Sequence, residues 1–267
     1  MGSAAGSRLK NAAAAGDAAS PAAVAALAPG GVLRAAINLG NPVLAARDAA
    51  SGLPRGVSVD LAGALARRLG VPLETVPYDT AGKVVEGLAA RAWDVAFLAI
   101  DPARAVDIAY TAPYVIIEGV FVVRESSVIE RHADVDRRGV RVVVGAGSAY
   151  DLYLTRTLRH ATIVRVPTSA EVVDAFVARA FDVAAGVRQQ MEGDMDRVPG
   201  LRIVGERFMA IEQAIGTPRD RAAEGVGFLH ACVEAMKASG VVADVLARHG
   251  IDGVAVAPPA AVPPRGL

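Results

Sequence analysis

Short alternating or continuous apolar runs, each followed by a stretch with helical spacing, set the rhythm of the chain. Val32 to Leu39 alternates as a half-buried strand and stops at Gly40-Asn41-Pro42. Val59 to Leu69 then places Leu61, Leu65 and Leu69 on one helical face, and Gly70 ends it. Pro72 to Tyr78 predicts a second strand, Ala81 to Ala92 a second helix and Val95 to Ile100 a short buried strand. This βαβαβ order implies a parallel sheet with right-handed crossovers. The apolar run Ile116 to Arg124 is long enough to leave one lobe and enter another.

A second α/β series follows. Strands are expected at Val140 to Gly145, Thr162 to Val166 and Phe181 to Val187, with helices at Ala149 to Leu158 and Ser169 to Ala180. Arg202 to Val204 reads as another strand, and Met209 to Gly216 as a return crossing. Helices at Arg221 to Ala238 and Val241 to His249 close the folded part. One α/β unit therefore contains another. The expected division is residues 31–118 plus 209–256 for lobe 1 and 119–208 for lobe 2. Residues 1–30 would be a flexible extension with a short helix opened by Ser20-Pro21, and 257–267 a Pro-rich tail. The fold class is α/β with two lobes, each a mostly parallel sheet flanked by helices, joined by a two-strand hinge. Ligands of such sheets sit beyond the carboxyl ends of the strands, here in the cleft between lobes.

Composition narrows the function. The 267 residues carry 28 basic and 28 acidic side chains, a net charge of zero, which excludes a general nucleic-acid binder. Cys232 is the only cysteine, so no intrachain disulfide or cysteine-based zinc site can form, and its place on an apolar helical stripe predicts a buried thiol. The four histidines share no ligand spacing, and no P-loop, dinucleotide fingerprint or nucleophile elbow is present, so neither metal nor cofactor is expected. No stretch reaches the roughly 18 apolar residues that span a bilayer. Met1 to Ala28 is alanine-rich, but without a Leu-rich run it fails as a secretory signal. A native start of this kind predicts a cytoplasmic protein; a Met-Gly-Ser opening that replaced a leader would leave a periplasmic one.

Three junctions can carry chemistry. Ser148 follows Gly145-Ala-Gly147 and, with Asp151 three residues on, resembles a capping box. The same geometry exposes amides that hold a carboxylate, so Ser148 is either a cap, an anion site or both. Asp101-Pro102 predicts a second helix start with Asp101 as N-cap. Arg104 would sit in its first turn, where a cation opposes the helix dipole. It is either a solvated surface group or a guanidinium aimed into the cleft to grip a carboxylate. Arg188-Gln189-Gln190 follows the strand ending at Val187 and is either cleft-facing or a polar loop. Tyr150 pointing inward would cover an apolar part of a ligand, and Asn38, Asn41 and Gln213 are further cleft candidates.

Four segments together resemble family 3 solute-binding proteins of ABC transporters, over residues 31 to 250. They are Gly31-Val-Leu-Arg-Ala-Ala-Ile-Asn38, Gly56-Val-Ser-Val-Asp60, the run from Asp94 through Arg104 to Pro113-Tyr114, and Gly147-Ser148. The resemblance implies the type II periplasmic-binding fold and a hinge cleft that takes amino acids or related organic acids. It also implies that Arg104 and Ser148 hold the ligand carboxylate. Three departures stand out. The segment before Arg104 is about two residues short. Val187, followed by Arg188, stands where amino-acid binders of the family place an aspartate. The missing signal resembles a signal-less branch of the family.

The expected function is a non-catalytic binding protein, acting as a monomer, that closes on a small carboxylate-bearing ligand. Its ligand-binding residues would be Arg104, Ser148, Gly147, Tyr150, Asp101, Arg188, Asn41 and Gln213. A transporter permease would be its partner if it is exported. Two alternatives stay open: a cyclohexadienyl dehydratase-like enzyme using Glu192 or Asp101 as its acid, and an intracellular small-molecule sensor.

Overall fold

The computed structural model describes residues 19–261. Most of the expected N-terminal extension and the end of the Pro-rich tail lie outside the described residues. Helix α1 (Pro21–Leu27) is entered through Ser20, whose Oγ accepts the Ala23 amide at 3.1 Å. The first series runs β1 (Leu33–Asn38), a hairpin of β2 (Ala46–Arg47) and β3 (Pro54–Arg55), α2 (Val57–Leu69), β4 (Leu73–Tyr78), α3 (Ala81–Ala89) and β5 (Val95–Ala99). Strands β6 (Ile108–Tyr110) and β7 (Val115–Arg124) follow. The second series is α4 (His132–Val135), β8 (Arg141–Gly145), α5 (Ala149–Thr157), β9 (Thr162–Val166), α6 (Val172–Ala178), β10 (Val183–Val187), α7 (Arg188–Arg197) and β11 (Leu201–Ile203). The chain returns on β12 (Met209–Pro218) and closes with α8 (Ala223–Ala238), α9 (Val241–Arg248) and β13 (Ala255–Val256).

The strands form one mixed sheet in the order β4-β1-β5-β12-β7-β10-β8-β9, with β6, β11 and β13 as side branches. On one side β4, β1 and β5 run parallel; on the other, β9, β8 and β10 do the same. Between them β7 and β12 pair antiparallel only where they meet, Val115–Gly119 against Met209–Gln213. Beyond that overlap β12 pairs with β5 and β6, and β7 with β10 and β11. Each ten-residue strand thus spends half its hydrogen-bonding length in one lobe and half in the other. Strands β5 and β10 are buried at every position, as expected of sheet interiors covered on both faces.

Burial follows the apolar pattern. Leu61, Leu65 and Leu69 of α2 are all buried against the sheet, each worth about 1.5–3 kcal/mol of transfer free energy. Gly70 then adopts φ 71° and caps the helix, a left-handed turn that favours glycine. Cys232 is buried on α8 among Leu229, Val233 and Met236. Among the described residues no single helix is long and apolar enough to cross a membrane. Nor does any group of three His, Cys, Asp or Glu side chains there stand ready for a metal.

Four local expectations are corrected. Asp101-Pro102 does not open an α-helix: the segment makes one 3-10 turn at Arg104–Val106. The chain must reach β6, paired with β12, only eight residues after β5 ends, which leaves no room for a longer helix. Residues 188–197 form α7 rather than a polar loop. That helix buries only Met191, with Met195 one turn on half-buried, too short an apolar stripe for a sequence pattern to reveal. The helix expected from Ser169 begins as a 3-10 turn, Ser169–Glu171, and becomes regular only in α6. Finally, α1 is packed, with Leu27 fully buried beside α8.

The α1–α8 contact is close because Gly225 has no side chain. A Cβ there would lie 2.6 Å from the Ala26 Cβ and 3.2 Å from the Leu27 Cγ. Gly225→Val is expected to cost about 1–3 kcal/mol through overpacking. A fall of several degrees in Tm by calorimetry would match this, and an unchanged Tm would show that α1 yields freely.

Candidate functional site

The two halves of the sheet aim the carboxyl ends of their parallel strands at one another, and a small cavity of about 40 Å³ lies between them. Residues just after β1 (Gly40, Asn41), β4 (Thr80, Ala81) and β8 (Ala146, Ser148) line it, with Ala99 at the end of β5 and Val187 at the end of β10. Ile211 and Gln213 of β12 form its floor beside the crossing. The cleft expected from topology is therefore present.

Arg104 enters this cavity almost wholly buried, 4% exposed. One guanidinium nitrogen donates to the Ala99 carbonyl at 3.1 Å and another to the Gly147 carbonyl at 2.8 Å. The first partner belongs to the β5 side and the second to the β8 side, so one side chain ties both lobes. Burial lowers the Arg104 pKa below its ordinary value, against partial compensation from Tyr110 and Asp101. An arginine remains charged under such a shift, and a buried guanidinium with spare donors attracts an anion. Burial also raises the nearby Tyr110 hydroxyl, to about 12, so it is neutral and can donate.

Two helix N-termini face the same space from opposite lobes. Thr80 caps α3, its Oγ1 accepting the Lys83 amide at 3.2 Å. Ser148 caps α5, its Oγ accepting the Asp151 amide at 3.0 Å. Asp151 answers by accepting the Gly147 amide at 2.9 Å, which holds the loop against its helix. First-turn amides have no carbonyl partner within their own helix and carry partial positive charge. The ends meet at Gly147, whose φ of 68° needs glycine and where a Cβ would stand 3.3 Å from the Gly82 Cα.

Of the residues singled out from sequence, Arg104, Ser148, Tyr150, Asn41, Asn38 and Gln213 line the cavity. Gly147 contributes its carbonyl to Arg104. Tyr150 is buried, with its hydroxyl donating to the Ser169 Oγ at 2.8 Å. Asp101 and Arg188 are not among the lining residues. Asp101 caps the Ala103 amide at 2.8 Å and takes a two-pronged contact from Arg156 of α5, at 3.2 and 2.7 Å. That buried carboxylate is a second bond across the cleft. Arg188 turns to Glu118 of β7 at 2.6 Å, and Arg207 meets the same carboxylate at 3.2 Å. Its two arginines hold Glu118 below the usual carboxylate range. Glu192 sits beside Arg188 on α7, half exposed and away from the cavity.

Thr80, Ala81 and Ser169 were missed. Thr80 carries the same signal as Ser148, a hydroxyl residue between a strand and a helix. Ser169 opens the turn after β9, where Gly145 allows its backbone to approach: a Cβ at Gly145 would lie 2.8 Å from the Ser169 amide nitrogen.

Comparison with known proteins places this geometry. Residues 33–250 match the family model of bacterial extracellular solute-binding proteins, family 3. No curated protein matches by sequence. Among solved structures, a mutant of ArgBP from T. maritima is 23% identical with a TM-score of 0.71, covering 85% of this chain and 98% of that one. A putative ABC-transporter binding component from Wolinella succinogenes, complexed with lysine, is 19% identical with a TM-score of 0.71, covering 82% and 95%. The ancestral amino acid-binding protein AncCDT-1, a precursor of cyclohexadienyl dehydratase, is 20% identical with a TM-score of 0.70, covering 82% and 95%. These similarities establish the type II periplasmic-binding fold. The match over most of its length makes this chain a member of the family 3 bacterial solute-binding proteins.

Proposed function

We propose that the protein is the ligand-binding component of an ABC transporter, or a descendant of one, and that it closes non-catalytically on a small carboxylate. The observation that carries this reading is Arg104, a buried guanidinium lining the cavity between two helix N-termini. Its Gly147 contact is replaceable: a ligand carboxylate would accept the same N–H group in a stronger, charge-assisted bond. The Ser148 hydroxyl and the first-turn amides of α5 would complete the grip on the anion.

A dehydratase would need a carboxylic acid in the cavity to protonate its leaving group. Asp101 is committed to Arg156, and Glu192 lies outside the lining. Both facts favour binding without chemistry.

Closure has its own bonds. Asp101 to Arg156 and Arg104 to Gly147 both span the cleft and would favour its closed form.

Two outcomes check the reading. A ligand at 100 times its Kd adds about 2.7 kcal/mol of stability, a rise of several degrees in Tm for a chain of this size. A thermal-shift screen of amino, hydroxy and dicarboxylic acids should find such a rise, and Arg104→Ala should abolish it. A shift that survives Arg104→Ala would remove this residue from the site. Asp101→Asn keeps a cap for Ala103 but loses the charge facing Arg156. Small-angle scattering of the unliganded variant should give a larger radius of gyration than the wild type, and identical curves would mean that the pair does not help closure.

A further inference from the structure

Charge around the cavity is one-sided. Among the described residues lining it, Arg104 is the one charged side chain; Asn38, Asn41, Thr80, Ser148, Ser169 and Gln213 are polar but neutral. Most carboxylates close in sequence to the lining are engaged elsewhere. Asp101 pairs with Arg156, Asp151 with Arg165 and Glu118 with Arg188 and Arg207, while Asp79 turns to Lys83 and Arg47. Glu212 is exposed on the face of β12 opposite Ile211 and Gln213. The positive ends of α3 and α5 add to the potential of Arg104.

An ammonium enclosed here would meet a like charge and two helix N-termini with no carboxylate to balance it. Burying an unpaired charge is among the costliest acts in a protein interior. One neutral acceptor is waiting: Asn41 is more than nine-tenths buried, lines the cavity, and its Oδ1 has no hydrogen-bond partner. A hydroxyl group can donate to it without bringing charge.

We infer that the cavity selects small hydroxyl-bearing carboxylates over zwitterionic α-amino acids. The carboxylate would sit on Arg104 and the helix N-termini, and the hydroxyl would donate to Asn41. This rests on the reading of the cavity as the carboxylate site and specifies which carboxylates enter it.

Matched pairs differing only in hydroxyl for ammonium test it: lactate with alanine, malate with aspartate, 2-hydroxyglutarate with glutamate, and 2-hydroxyisocaproate with leucine. Calorimetric titration of the whole chain is expected to give binding in at least one pair, the hydroxy acid being tighter by about tenfold or more. A smaller preference, or an amino acid bound as tightly as its partner, overturns the inference and leaves the carboxylate site standing. Failure of every probe in both classes overturns the carboxylate site and this inference together. Val187→Asp, at the end of β10 in the lining, supplies the missing counter-charge. It should raise amino-acid affinity by about tenfold; no rise in a folded variant counts against the electrostatic argument. The wild-type titrations stand whether or not that variant folds.

Discussion

The pairing of β7 with β12 is the constraint on which the rest depends. These strands share only Val115–Gly119 and Met209–Gln213, and each then continues into a different set of partners. Because the sheet is continuous through this overlap, the parallel strands of both lobes end toward the same gap. Loops after β1, β4, β5, β8, β9 and β10 therefore converge on one cavity, although they come from positions as distant as Asn38 and Val187. Bending at the overlap would change the width of the gap while most hydrogen bonds of each lobe stayed intact. Glu118, held by Arg188 and Arg207, anchors the crossing within that overlap.

Charge is arranged on this frame by neutralising acids and leaving one base free to act. The chain is neutral as a whole, but its carboxylates near the cleft are consumed in pairs: Asp101 with Arg156, Asp151 with Arg165, Glu118 with two arginines. Arg104 instead donates to the Ala99 and Gly147 carbonyls and forms no ion pair among the described residues, so much of its charge is left to act. With the N-termini of α3 and α5 beside it, a molecule without net charge carries an anion-seeking centre. A closed cleft excludes water and strengthens each of these interactions.

Legibility in the sequence followed the strength of local patterning. The strands and the helices with apolar stripes, α2 above all, were readable because burial on one face imposes a period. Ser148 and Gly147 were readable as a cap and its turn, since a strand, a glycine and a hydroxyl before a helix form a local signature. Arg104 stands out in the sequence because a cation in the first turn of a helix opposes its dipole; the segment is a 3-10 turn, yet the side chain does enter the cleft. The helix α7 was not legible because Met191 and the half-buried Met195 are the only apolar side chains it turns to the core.

Asp101 and Arg188 mark the limit. As isolated residues each is a plausible ligand group, and nothing local tells a carboxylate that binds a ligand from one that binds Arg156 fifty-five residues away. The alternating α/β order, the two long crossings and the cleft were legible in periodicity, caps and chain order, whereas those patterns left Arg104 open between surface and cleft and only the family resemblance pointed it at a ligand. Which charges cancel became readable only in three dimensions. Ion pairing depends on side chains meeting across elements remote in sequence, so the cavity's remaining charge could be read only once Asp101 and Arg188 had been seen to be taken.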